Sequence, residues 1–251
     1  MKKAFYAVNR NDARFFFFAA IVVLAFGLIG FLPTFVAAMF AGFDTIPMRV
    51  HIHGVFMVGW LILLATQAYL VWQDRLISHR FFGRLGVLLF FLAYASLVTL
   101  AVNNLMKTVP PFVDVGLSKV FALQIKSIVF MPILFGLAIW TAHRDTDAHR
   151  RLMVLLSAML VEAAVVRMPW LPGVDGLNTA PLTIVAYSLI PLLPVPIYDL
   201  ITRGRFHWAT TFALIVAAIG KGFSVFAAET TVWLEFTNEI ERLLTPIWPN
   251  I

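Results

Sequence analysis

The chain has 251 residues, 61% of them apolar and 13% charged, with a mean hydropathy of +0.89. Soluble domains run nearer half apolar and a quarter charged, so this balance excludes a water-soluble globule, a disordered chain and a small secreted scaffold. The absence of cysteine excludes disulfides, thiolate metal sites and cysteine catalysis, and the net charge of +6 has to be located before it means anything.

Apolar runs matching the ~20 residues of a bilayer crossing fall at 15–42, 47–72, 84–106, 117–142, 152–168, 180–200 and 207–229. The expectation is an all-α integral membrane protein, a seven-transmembrane-helix bundle over residues 1–229 with a tail at 230–251. The first run is too long for a signal-peptide core and reads as a retained, tilted helix. The fifth is the shortest, bracketed by Arg150, Arg151 and Arg167. The sixth holds Pro191, Pro194 and Pro196, which remove backbone donors and predict a bend. In the tail, Trp233, Phe236, Ile240, Leu243, Leu244 and Ile247 recur at helical spacing opposite Glu235, Glu239 and Glu241. That is the pattern of a C-terminal interfacial amphipathic helix.

The basic residues orient the bundle. Lys2, Lys3, Arg10, Arg14, Arg75, Arg80, Arg84, Arg144, Arg150, Arg151, Arg203 and Arg205 are 12 of the 19, and all lie at the amino terminus or in the connections after runs two, four and six. By the positive-inside rule that side is cytoplasmic, giving N-in/C-out in a bacterial inner membrane. The other side keeps Arg49, Lys107, Lys119, Arg167 and Arg242 with most of the acids, including Asp44, Asp114, Asp175 and Glu229.

Ser78-His79-Arg80 and Ala148-His149-Arg150 each follow a short charged connection, 70 residues apart, which suggests that runs two–three and four–five are a repeated hairpin. The set His53-Gly54, Trp60, Gln67, His79-Arg80 and Gly83, with His149-Arg150-Arg151-Leu152-Met153 and Arg167, resembles a family of uncharacterised bacterial multi-pass membrane proteins with an HG–W–Q–HR–G pattern. The resemblance covers runs two to five and implies an inner-membrane location without an activity. The HR motif is also loosely similar to the cytochrome b561 and haem A synthase groups, whose histidines ligate haem.

Ionisable groups within a bilayer are costly and mark interior or water-filled sites. Four runs contribute one each: His53, Lys126, Glu162 and Lys221, all at a depth between the membrane centre and the outer face. Asn103 and Asn104 add polarity from run three and Tyr187 from run six. His53, Trp60 and Gln67, spaced by seven, share one stripe of the second helix with Met57 and Leu64. The stripe is a pocket lining or a packing seam. Glu162 is either one half of a structural ion pair with Lys126 or Lys221, or the acid/base group of a site where those lysines hold an anionic ligand.

Histidines 79 and 149 open a different chemistry, because neutral imidazoles on adjacent helices at one depth supply both axial ligands of a b-type haem. The alternative is that each anchors a helix start at the interface, as His143 and His207 do. His53 could ligate an outer haem only with a partner such as Met57, since His51 faces elsewhere. Lys221, in the seventh run, is also where retinal proteins form a Schiff base, with Glu162 as counter-ion because run three carries no acid. Walker, GxSxG and HExxH motifs are absent, and nucleic-acid binding is excluded because the basic groups are dispersed over membrane loops. The leading reading is an inner-membrane protein whose polar pocket binds a cofactor or small ligand, most concretely a b-type haem that passes electrons to a membrane redox partner. The alternatives are a proton-coupled small-molecule transporter using Glu162, a retinal-binding protein, and a structural subunit of a membrane complex. The bilayer is the one partner every reading shares.

Overall fold

The computed structural model describes residues 10–42, 46–106 and 117–246. Lys2, Lys3, Asp44, Lys107, Asp114 and Ile247 lie outside the described residues. The described chain is all-helical: α1 (Arg10–Ala41), α2 (Met48–Trp72), α3 (Leu76–Met106), α4 (Leu117–Thr141), α5 (Thr146–Leu160), α6 (Pro181–Leu192), α7 (Pro194–Arg203), α8 (Trp208–Glu229) and α9 (Thr231–Leu244). A 3-10 segment, Val161–Arg167, continues α5. Five helices are long and apolar enough to cross a membrane: α1, α2, α3, α4 and α8. The α6–α7 pair, bent by 49°, makes a sixth if it is one span. The chain is therefore a multi-pass membrane protein.

The differences from the sequence reading have physical causes. The third helix begins at Leu76, eight residues before the apolar run, because its polar first turns, with Ser78, His79, Arg80 and Arg84, are helical as well. The run expected at 152–168 is α5 plus the 3-10 segment, and it is not one long apolar helix. Asp145 starts it early by accepting the Ala148 N–H at 3.0 Å, an N-cap that satisfies a free amide of the first turn. This most polar helix is also the most enclosed. Arg151, Leu152, Leu155, Leu156, Ser157, Ala158, Val161, Ala164 and Val165 are each no more than 1% exposed, packed among α1, α4, α6 and α8. A helix that meets protein on every side has no need of a lipid-compatible surface.

Close packing, hydrogen bonds and ion pairs hold such a bundle together, since lipid tails are as apolar as leucine. Trp60 of α2 donates its indole N–H to Ser157 of α5 (3.0 Å), and its ring meets Phe90 and Phe135, themselves stacked at 3.7 Å. Gly27 and Gly30 bring α1 onto the 3-10 segment, where a Cβ at Gly30 would stand 2.7 Å from the Ala164 carbonyl oxygen.

The prolines bend the sixth run as expected, at Leu193 between α6 and α7. Gly204, at φ +66°, supplies the left-handed residue that closes α7. The tail is helical, with Trp233 buried against Phe121 and Phe223, so α9 docks on the ends of α4 and α8 and keeps Val232, Phe236 and Leu243 exposed.

The repeated hairpin has a structural counterpart. His79 N–H bonds to Arg75 O and His149 N–H to Asp145 O, both at 3.0 Å, in helices that begin after equally tight turns. Each ring then returns to the preceding helix. The Nδ1 of His79 lies 3.3 Å from the Gln67 carbonyl and that of His149 lies 2.8 Å from the Ala138 carbonyl. A carbonyl oxygen only accepts, so both rings donate from Nδ1.

Candidate intramembrane ion site

Three helices bring charge to one depth. Lys126 on α4, Lys221 on α8 and Glu162 in the 3-10 segment lie about 21–26 Å from the turns at 142–145 and 204–207, at ~1.5 Å per residue. Their side chains meet. Lys126 Nζ donates to Glu162 Oε2 at 2.7 Å, and Lys221 Nζ stands 3.3 Å from the same oxygen. Lys221 also donates to Ser188 Oγ on α6. All three charged residues are at most 9% exposed. Glu162 Oε1 is buried and has no hydrogen-bond partner among the described residues.

The local chain makes this possible. Leaving α-helical geometry at Val161 re-aims Glu162 relative to the α5 face, and Gly220, whose ideal Cβ would lie 3.3–3.4 Å from Phe130 and Lys126, lets α8 close on α4. The three charged groups line a small cavity with Phe130, Met131, Leu156 and Met159. The space open to the centre of a water molecule is about 20 Å³, room for one. Two ammonium groups and one carboxylate leave a formal charge of +1 in an apolar interior. One carboxylate oxygen is crowded by cations while the other has no donor among the described residues.

The other expected site residues fall into separate places. His53 donates from Nδ1 to Ser96 Oγ (3.0 Å), because the Ser96 hydroxyl is itself committed to the Ala93 carbonyl (2.7 Å). Trp60 is a core residue, and Gln67 donates to the His79 carbonyl (3.0 Å), so the α2 stripe is a seam facing the bundle, apart from the lysines. Asn103 turns back to the Thr99 carbonyl, whereas Asn104 donates to Gln124 on α4. Tyr187 donates to the Pro172 carbonyl at the surface. His79 and His149 each stay with the helix before them, at the Gln67 and Ala138 carbonyls. His143 is exposed, and His207 caps α8 by accepting the Ala209 N–H.

A second ionic cluster escaped the sequence reading. Arg151 and Asp199 are both fully buried, with Nε and Nη2 of the guanidinium 2.9 and 2.5 Å from Asp199 Oδ1. Asp199 Oδ2 accepts from Thr210 (2.6 Å) and the His207 N–H (3.0 Å), so both carboxylate oxygens are engaged. Nearby, Arg150 bridges Asp12 and Asp147, Tyr198 donates to Asp12, Arg203 pairs with Asp147, and Trp208 donates to Asp145 (2.9 Å). This network ties α1, α5, α7 and α8 together at the turn end. Asp145 sits at its edge: burial pushes its carboxyl up, but the Trp208 and Ala148 N–H donors and the neighbouring His207 outweigh that and hold it below the usual range. Sequence position hid the cluster, since Arg151 and Asp199 occupy run ends where charges are read as interface anchors. Two charges in the inner turns of adjacent runs were the available signal.

Comparison with protein-family models, with curated proteins and with solved structures returned no match. The architecture common to the resemblance and the structure is that of a multi-pass helical membrane protein.

Proposed function

We propose that the protein is a proton-coupled carrier of small monovalent anions, a seven-crossing, N-in bundle of the bacterial inner membrane in which α5 and its 3-10 extension count as the fifth crossing. One observation carries the reading: both buried lysines converge on a single oxygen of Glu162 while its other oxygen has no donor among the described residues. A carboxylate between two ammonium groups occupies the position an anionic ligand would take. When Glu162 is protonated its hold on the lysines weakens, and a small anion can replace it between Lys126 and Lys221. The formal charge is +1 before and +1 after, because proton and anion enter together. The low-dielectric interior then meets no additional charge in either state, which is the condition for tight one-to-one coupling.

Ser188 links this event to the broken helix. It holds Lys221 from α6, whose junction with α7 at Leu193 is the bend, and broken helices are the elements that move in carriers. The orientation rests on the 12 of 19 basic residues gathered at the amino terminus and the turn end.

The test is flux in proteoliposomes enclosing a pH-sensitive dye, with chloride or nitrate supplied outside. The expected result is anion-dependent acidification of the lumen, absent in Glu162→Gln, which carries a neutral side chain permanently. Equal acidification in wild type and Glu162→Gln, or none with either anion in the wild type, overturns the reading.

A second reading rests on His79 and His149. They hold equivalent positions in the repeated hairpins and both donate from Nδ1 to a carbonyl, the outer-shell contact that orients a ligating imidazole and leaves Nε2 for a metal. These two histidines would serve as the axial ligands of a b-type haem, which would supply one-electron transfer when bound. A Soret band lost in both His79→Ala and His149→Ala supports this reading, and a colourless protein expressed with haem precursor removes it.

A further inference from the structure

Between α2 and α3, apart from the ion site, lies an open apolar groove. Gly59, Ile62 and Thr66 of α2 and Leu85, Leu88 and Leu92 of α3 line a space of about 430 Å³, against about 20 Å³ at the lysines. Ile62 and the three leucines are exposed, and the one hydroxyl in the wall, that of Thr66, is spent on the Ile62 carbonyl (2.8 Å). Gly59 keeps the groove wide, since a Cβ there would meet nothing nearer than Leu89 Cδ2 at 3.7 Å. Its α3 wall starts at Phe82, six residues into the helix, and ends at Leu92, ten residues further on. That is about 15 Å, half of the ~30 Å hydrocarbon core, on the side of the 73–75 turn.

The turn end of this wall is basic. Arg80, Arg84, Leu88 and Leu92 recur every fourth residue and form one ridge of α3. The two leucines face the groove, and both arginines are exposed. Helical side chains lean towards the N-terminus, so Arg84 reaches from beside Leu88 back towards headgroup level.

We propose that the α2–α3 groove binds an anionic phospholipid of the turn-side leaflet, with one acyl chain between the helices and its phosphate on Arg84, in the added field of Arg80. An apolar slot one leaflet long that ends at cations matches a molecule with a leaflet-long chain and a negative head. A transmembrane helix of another protein needs a face about twice that length. A second copy fits worse still. In a twofold dimer closed through the groove both copies stand parallel in the membrane and set Arg84 against Arg84 at one depth. The site rests on neither the carrier nor the haem reading.

The purified full chain in non-ionic detergent is melted while phosphatidylglycerol or phosphatidylcholine is titrated into mixed micelles at fixed ionic strength. The expected result is a saturable rise in melting temperature with phosphatidylglycerol that phosphatidylcholine does not give, at an apparent affinity about fivefold weaker in Arg84→Gln. Gly59→Leu fills the groove without altering charge and is expected to abolish the saturable rise, whereas Gly59→Ala, whose added methyl makes ordinary contacts, keeps it. Glycerol 3-phosphate, a head without chains, is expected to give none. If Gly59→Leu does not fold, Arg84→Gln on the exposed ridge carries the comparison. An equal rise with both lipids, an equal rise with glycerol 3-phosphate, a phosphatidylglycerol response unchanged in either variant, or a lipid-free dimer that Gly59→Leu splits, overturns the proposal.

Discussion

Gly30 lies so close to Ala164 that a Cβ placed on the glycine would stand 2.5 Å from the alanine Cβ and 2.7 Å from its carbonyl oxygen. The ion site at Glu162 and the packing of α1 both depend on where the 3-10 segment sits, and this contact sets its distance from α1. Gly27 differs, because the nearest atom to its added Cβ is the end of the Leu61 side chain, at 2.7 Å. Helix propensity alone favours alanine by about 1 kcal/mol at either position. At Gly30 the obstacle is backbone, which cannot rotate away, and overpacking of about 1–3 kcal/mol outweighs that gain. Gly30→Ala is therefore expected to melt below wild type in detergent and Gly27→Ala to melt above Gly30→Ala. The reverse order would mean that α1 slides freely on the segment.

Removing different members of the lysine–glutamate site should have unequal effects. Glu162→Gln leaves two buried ammonium groups facing each other, with an expected loss of about 3–5 kcal/mol. Lys221→Met leaves one cation and one anion, so its effect on stability is expected to be far smaller, while carrier flux is lost. Chemical denaturation of the three proteins in one detergent checks the order. Equal losses would show that charge balance does not govern this site.

Arg151 and Asp199 hold α5 to α7 with every guanidinium nitrogen and carboxylate oxygen partnered, so breaking one partner should cost more than replacing both. Asp199→Asn is expected to lose about 3–5 kcal/mol, and the double variant Arg151→Met with Asp199→Leu to recover much of it. Thermal unfolding of the single and double variants decides. A double variant as unstable as the sum of the singles would deny the coupling.

Acid should loosen the turn end through Asp145. Its folded value lies below the ordinary 3.8, so the stability it contributes is full above that pH and is lost as pH falls through the folded value. Wild type is expected to melt progressively lower below about pH 4, and Asp145→Asn to show a shallower decline over the same range. Melting temperatures measured from pH 6 to pH 3 give the comparison.

The membrane class of the chain was legible because a crossing demands about 20 apolar residues, and five helices met that demand where the runs predicted them. The shared depth of Lys126, Glu162 and Lys221 was legible for the same reason, since depth follows from counting along a helix. Which helices face one another is not written in spacing, so the pairing of both lysines with one oxygen, and the separation of His53 from them, needed the fold. Arg151 and Asp199 were missed because a charge near the end of an apolar run looks the same whether it reaches water or a buried partner. The switch to 3-10 geometry at Val161 left no periodic signal, because a run apolar on most faces reads alike at three or 3.6 residues per turn.

The enclosure of α5 bears on how the chain enters the bilayer. A segment carrying Asp147, His149, Arg150 and Arg151 in its first two turns partitions poorly into lipid by itself. It gains a polar surround once its neighbours stand beside it, and Asp199, the partner of Arg151, is not synthesised until 48 residues later. During biosynthesis α5 must therefore wait at the membrane surface or enter as a hairpin with α4, and its final depth is set only when α7 emerges. The most protected helix of the finished bundle is the last to become secure.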